Sequence, residues 1–257
     1  MSVDVSLGAD GRVLNLVFNQ PRGNILDAAM LGALEAALAA HRDDCGLKMV
    51  VLRGADGNFS YGASVAEHRK EAAPAMLTQF HRTVRAIARY PVPVVALVEG
   101  RCLGGAFEVA LVAHFVFATP DASFACPEIK LGVFPPVLAA VGGLRLGGML
   151  SERLLLTGQA LSAEDARHFG FVSQLVDGDD PMADVLAWYQ ASLAPLSAYS
   201  LRQAVAVTRR VSGLDAALDE PLDVAERHYL ETLLPSHDGN EGIEAYLERR
   251  APTWRDR

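Results

Sequence analysis

The sequence predicts an α/β fold that closes with a helical C-terminal region. Three observations carry that reading. Short β-branched apolar runs alternate with stretches of helical periodicity through the first part of the chain. Glycines mark where the apolar runs end. From about residue 181 onward the patterns are almost wholly helical. With 51% hydrophobic and 21% charged residues, the 257-residue chain can bury a sizeable core, which excludes wholesale disorder.

The elements follow in order. "VDVSLGADGRVLNLVF" predicts two strands joined at Asp10-Gly11, a hairpin signal. Asp27 is placed to cap a helix running through about His41. "LKMVVLRG" has the continuous apolar character of a strand buried on both faces. A loop, "ADGNFSYGASVAEH", comes next, then an amphipathic helix over 74–90 and a second buried strand in "PVPVVALVEG". Gly104 and Gly105 lead into a helix from near Ala106. A strand at 114–118, a loop through Pro127 and two helical stretches around 137–157 come after it. In "TGQALSAEDARHFGFVSQLV", Ser162 with Asp165 predicts a capped helix, Gly170 its stop, and a strand closes the segment. The helical tail suits an interface as well as a core.

The bulk numbers exclude several classes. A formal charge of −8 and no dense Lys/Arg run argue against a nucleic-acid surface. Three cysteines without a CxxC pair fit reduced thiols better than disulfides or a zinc site. The start lacks the apolar core of a signal peptide, and "VALVAHFVFA", broken by His114, is too short to span a bilayer. No membrane partner and a cytoplasmic location are therefore expected.

Chemistry concentrates in "EGRCLGGAFEVALVAHF", where Glu108 is a carboxylate in an otherwise apolar segment. Burying a charge there costs several kcal/mol unless something compensates it. Helix N-termini expose unpaired N–H groups, and Gly105 lets a ligand approach one closely. Taken alone, the glycine pair is a tight turn and Glu108 a stabiliser of the helix dipole. Glu128, in "FACPEIKLG", is a second carboxylate; alone, it reads as a surface-loop glutamate. Together the two could hold a water and pass protons, one as base and one as acid. "SYGAS" at 60–64 could offer a second N–H to an oxyanion, or be an ordinary turn. Spacing does not choose between these readings. His68, His81 and His114 lack ligand-like spacing, so no metal is expected, although His68 and His81 are candidates to approach an acyl pocket. Cys102 and Cys126 have no adjacent base.

Six segments in order resemble the crotonase, or enoyl-CoA hydratase/isomerase, superfamily. They are "QPRGNIL", "FSYGASV", "GRCLGGAFEVALVAH", "FACPEIKLG", "LTGQALSAEDARHFGFVSQLV" and "EGIEAYLERRAPTW". The resemblance covers essentially the whole chain. It implies a spiral of ββα units, with a core and active site in 1–195 and a helical oligomerisation region in 196–257. A homotrimer or dimer of trimers is implied with it. It implies an acyl-CoA thioester substrate and no separate cofactor, coenzyme A being part of the substrate. It places the two oxyanion-hole amides at Ala63 and Gly105 and the hydratases' two glutamates at Glu108 and Glu128. Coenzyme A would run along Arg22, Ala63, Ser64 and Val65, with Arg249 and Arg250 candidates for a phosphate contact across a subunit boundary.

The departures are Ser64 for the family's usual Asp, Ala106 for a third glycine, and "FPPVLAAVGGLRL" for "PGxGGxQRL". They speak against a straight-chain substrate, and "FSYGASVAEH", "GRCLGGAFEVA", "PEIKLGVFPP" and "SHDGNEGIEAYLERR" together resemble the branch that hydrates a cyclic conjugated dienoyl-CoA in anaerobic aromatic degradation. Phe80, Phe134 and Leu138 are the candidate apolar walls for its ring. The rival expectations are short-chain enoyl-CoA hydration or isomerisation, and a catalytically silent acyl-CoA binder. Isomerases need only one base, so the pair Glu108/Glu128 favours hydration.

Overall fold

A computed structural model describes residues 2–257. Strands β1 (Val3–Gly8) and β2 (Val13–Phe18) form the expected antiparallel hairpin. β2 pairs in parallel with β3 (Met49–Gly54), and the sheet continues in parallel through β4 (Val94–Val98), β6 (Phe115–Ala118) and β9 (Gln174–Leu175). Parallel neighbours need crossovers. Helix α1 (Ala28–Ala40) links β2 to β3, and α2 (Ala73–Ala88) links β3 to β4. Asp27 caps α1 as its position predicts, accepting from the Met30 N–H at 2.9 Å.

Alternation along the strands explains their continuous apolar runs. Val50 and Leu52 join the main core with Leu14, Leu16, Val94 and Ala96. Their neighbours Met49, Val51, Val95 and Leu97 face a second, smaller core under α7 (Pro181–Ser192), where Trp188 meets Phe115 and Phe117 edge-on. Both faces are covered, so neither tolerates polar residues.

A second sheet escapes sequence periodicity. It orders β5 (Arg101–Leu103), β7 (Ser123–Ala125) and β8 (Leu161–Ser162). Strands of two or three residues hold less than two periods of alternation, so they read as loop. The stretch through Pro127 likewise contains β7 and then a 3₁₀ turn at Pro127–Leu131.

Helices α3 (Gly105–Val112), α4 (Pro136–Leu146), α5 (Gly148–Thr157) and α6 (Ala163–His168) fill the middle of the chain. After α8 (Ala198–Val211) and α9 (Leu214–Ala217) come α10 (Glu220–His228), a π-helical turn at Tyr229–Leu233 and α11 (Asp238–Leu247). α10 packs on α4, and α11 packs on the 3₁₀ turn that carries Glu128. Leu218, Leu222, Tyr229 and Ile243 belong to the main core. The last residues fold back: the Arg255 and Asp256 amides donate to Asp238 at 2.9 and 2.7 Å. No described helix is long and apolar enough to cross a membrane.

Candidate active site

α3 runs through the core with all eight residues buried, and Glu108 in its first turn is 3% exposed. Two glycines make room at its entrance. Gly104 has φ 53°, and a Cβ there would lie 2.5 Å from Glu128 Oε1. A Cβ on Gly105 would press on the Phe80 ring at 3.0 Å. One glycine is demanded by a carboxylate and the other by a phenyl ring.

Glu108 is held by a second helix. Pro135 and Pro136 open α4 without N–H groups, so they can neither cap it nor donate. The Leu138 amide donates to Glu108 Oε1 at 2.9 Å, making the carboxylate a substitute cap. Burial raises the pKa of Glu108, and the amides of Leu138 and Val137 pull it partway back.

Glu128 is 9% exposed, and its Oε2 makes no hydrogen bond to protein. Burial raises its pKa, and the charge of Glu108 raises it further. Two carboxylates in one buried site cannot both ionise cheaply, so near neutrality the pair retains a proton. Such a pair can supply one acid and one base.

Ala63 is brought to this site by a backbone laminate. The Tyr61 amide donates to Gly23 O at 2.8 Å and the Leu26 amide to Gly62 O at 2.9 Å. On the other side the Ser60 amide donates to Arg101 O, and the Leu103 amide to Ser60 O, both at 3.0 Å. Asn24 pins the layers: its buried Nδ2 donates to Ala55 O and Asn58 O at 3.0 and 2.9 Å. The result sets Ala63 N 3.6 Å from the place a Gly105 Cβ would occupy. Among the described residues neither the Ala63 nor the Gly105 N–H has a backbone acceptor. Two free amides side by side can receive a carbonyl oxygen that gains charge.

An outer cleft of about 440 Å³ leads inward past Tyr61, Val65, Lys130, Tyr246 and Arg250 to Ala63, His68 and Glu128. Behind it an inner cavity, with about 20 Å³ of free space, is walled by Phe80, Phe134, Leu77 and Tyr229 around Glu108, Glu128 and Gly105. That is room for about one water.

The structure therefore gathers Ala63, Gly105, Glu108, Glu128, Phe80 and Phe134 in one place, with Val65 on the cleft. Arg22, Ser64 and Leu138 line neither space. Arg22 is exposed beside the Gly23–Tyr61 contact, and Leu138 serves through its amide while its side chain turns toward Gly142. Arg250 reaches the cleft of its own chain, paired with Glu241 and Glu248.

Of the histidines expected near the pocket, His68 lines both spaces. Its Nδ1 donates to Ser64 O at 2.9 Å, and burial lowers its pKa. His81 turns instead to Glu226 at 2.5 Å. Cys102 and Cys126 are buried, and burial drives both thiols upward, away from nucleophilic thiolate. Tyr229 and Asn24 were not foreseen. Asn24 lies in the segment "QPRGNIL" with no role of its own read there, and Tyr229 sits among helical residues far along the chain.

A sequence profile of the enoyl-CoA hydratase/isomerase family matches residues 8–257. Cyclohexa-1,5-dienecarbonyl-CoA hydratase of Thauera aromatica is 40% identical over 253 residues, covering 98% of this chain and 96% of that one. Carnitinyl-CoA dehydratase of Salmonella typhi is 31% identical, with all of both chains covered. The crystal structure of an enoyl-CoA hydratase from Mycobacterium avium subsp. paratuberculosis K-10 superposes with a TM-score of 0.83 at 28% identity, covering 100% of this chain and 99% of that one. With its crotonase fold and a profile match running almost end to end, the chain belongs to the enoyl-CoA hydratase/isomerase family.

Proposed function

We propose that this chain hydrates cyclohexa-1,5-diene-1-carbonyl-CoA to 6-hydroxycyclohex-1-ene-1-carbonyl-CoA. The observation that carries hydration is the inner cavity, where two proton-sharing glutamates face two free amides. The relative at 40% identity and the aromatic walls support the cyclic substrate.

In this reading the Ala63 and Gly105 N–H groups hold the thioester oxygen, each donor contributing about 3–4 kcal/mol as charge develops there. A water positioned by Glu108 adds its oxygen to the ring carbon β to the thioester. One water proton passes to the carboxylate pair, and electron density moves through the ring into the carbonyl oxygen. Glu128 delivers a proton to the far carbon of the resulting dienolate, which leaves the ring double bond beside the thioester. The coenzyme A arm occupies the outer cleft, past Val65 and toward Lys130 and Arg250, with Arg22 and Ser64 at its margin. No cofactor beyond that coenzyme A takes part. The enzyme works in the cytoplasm as a homotrimer or dimer of trimers. Met149 and Leu156 on α5 and Tyr199, Val207 and Val211 on α8 are exposed apolar side chains that a partner would cover.

Thioester absorbance tests the reading, with the cyclic dienoyl-CoA, crotonyl-CoA and carnitinyl-CoA offered in parallel. Rapid turnover of the diene alone supports it. Preference for crotonyl-CoA marks a general enoyl-CoA hydratase, and preference for carnitinyl-CoA follows the relative at 31% identity. Glu128→Gln is expected to cut turnover by roughly 10²–10⁴ while the thioester still binds. A near wild-type rate removes Glu128 from the mechanism.

A further inference from the structure

One polar residue that lines the inner cavity has no part in that scheme. Tyr229 opens the π-helical turn after α10, and such turns occur often at functional sites. Its side chain is 1% exposed and packs edge-on to Phe134 at 5.6 Å between centroids. Its hydroxyl makes no hydrogen bond to protein, an unfavourable condition for a buried donor. Glu128, which lines the same cavity, carries a second orphan, its Oε2.

The two orphans differ in chemistry. A carboxylate accepts protons from a water, and the one proton the glutamate pair retains is committed to the dienolate carbon, so the pair leaves nothing donating to the water's oxygen. A phenol supplies that donor. Burial, then the charges of Glu128 and Glu108, drive the Tyr229 phenol upward, so its proton stays in place.

We propose that the Tyr229 hydroxyl is a third catalytic group, donating a hydrogen bond to the oxygen that joins the substrate in hydration and leaves it in dehydration. This rests on the hydratase reading above. No proton is lost from the tyrosine. The new C–O bond uses one lone pair of the water, the phenol O–H engages the other, and the water's own proton goes to the glutamate pair. The hydroxyl also makes the site a reader of hydroxylated product, because the unreacted ring has no oxygen at that position.

Tyr229→Phe removes the hydroxyl and keeps the ring. In the full-length enzyme kcat is expected to fall roughly 10- to 100-fold, with KM for the dienoyl-CoA within about twofold. Inhibition by 6-hydroxycyclohex-1-ene-1-carbonyl-CoA should weaken about tenfold, while inhibition by cyclohexanecarbonyl-CoA, which has no hydroxyl, stays unchanged. Thermal unfolding serves as the control for folding, and Tyr229→Met provides a second hydroxyl-free variant. Wild-type kcat with both inhibition constants unchanged overturns the proposal. So does equal weakening of both inhibitors, which would mark a residue that only shapes the pocket. A wild-type enzyme inert toward all three thioesters fells the hydratase reading and this one with it; an active wild type with an unaffected Tyr229→Phe fells this one alone.

Discussion

Glu128 would ionise freely in water, but in this protein it sits beside another carboxylate with no donor on its outer oxygen. That arrangement costs stability in a pH-dependent way. Its ordinary pKa is 4.5, and the folded value is raised. Below the ordinary value both folded and unfolded chains hold the proton, and the stability contribution is complete. As pH rises toward the folded value, the unfolded chain ionises while the folded one resists, so stability falls. Glu128→Gln should therefore match wild type in urea unfolding near pH 4.5 and exceed it by about 2–4 kcal/mol near pH 8. An equal difference at both pH values would contradict the burial argument. Both glutamates were legible in the sequence because a charge in an apolar motif is conspicuous. Tyr229 was not, because an aromatic in a helical stretch is ordinary until its hydroxyl is seen to lack a partner.

At the scale of elements, the long helices and double-covered strands were legible because they repeat a period several times. Asp27 and Ser162 mark helix starts by their own chemistry, and both accept the hydrogen bonds expected of a cap. β5, β7 and the 3₁₀ turn were not legible, yet they aim the chemistry. β5 delivers Gly104, and the turn carries Glu128. Their geometry is imposed by pairing with distant segments, which no local window contains. Asn24 concentrates that imposition. Asn24→Ala would leave the Ala55 and Asn58 carbonyls without its two donors and place alanine at φ 53°. A loss of about 2–4 kcal/mol is expected in urea unfolding, with reduced kcat because Ala63 N is no longer fixed. Unchanged stability would show that other bonds suffice to hold the laminate.

At the scale of the molecule, the C-terminal residues are part of the entrance. Gly242, Tyr246, Arg250 and Pro252 line the outer cleft, and the tail is tied back through Asp238 and Glu241. A chain ending at Glu248 should show KM for the thioester raised roughly tenfold with kcat within about twofold, since the lost contacts bind substrate and transition state alike. A collapse of kcat instead would place the tail in the chemistry. The inner cavity is narrow, so an acyl group reaches the glutamates only as side chains such as Phe134 and Met76 yield. Phe134 adjoins Pro135 and Pro136, the corner from which α4 starts. Burial is the larger cause of the raised proton affinity of Glu108 and the Leu138 and Val137 amides hold it down, so a retreat of that corner with the carboxylate kept buried makes it more basic. A ligand that displaces the corner and fills the space it leaves thereby raises the affinity of Glu108 for a proton: the α3–α4 junction converts mechanical displacement into proton affinity.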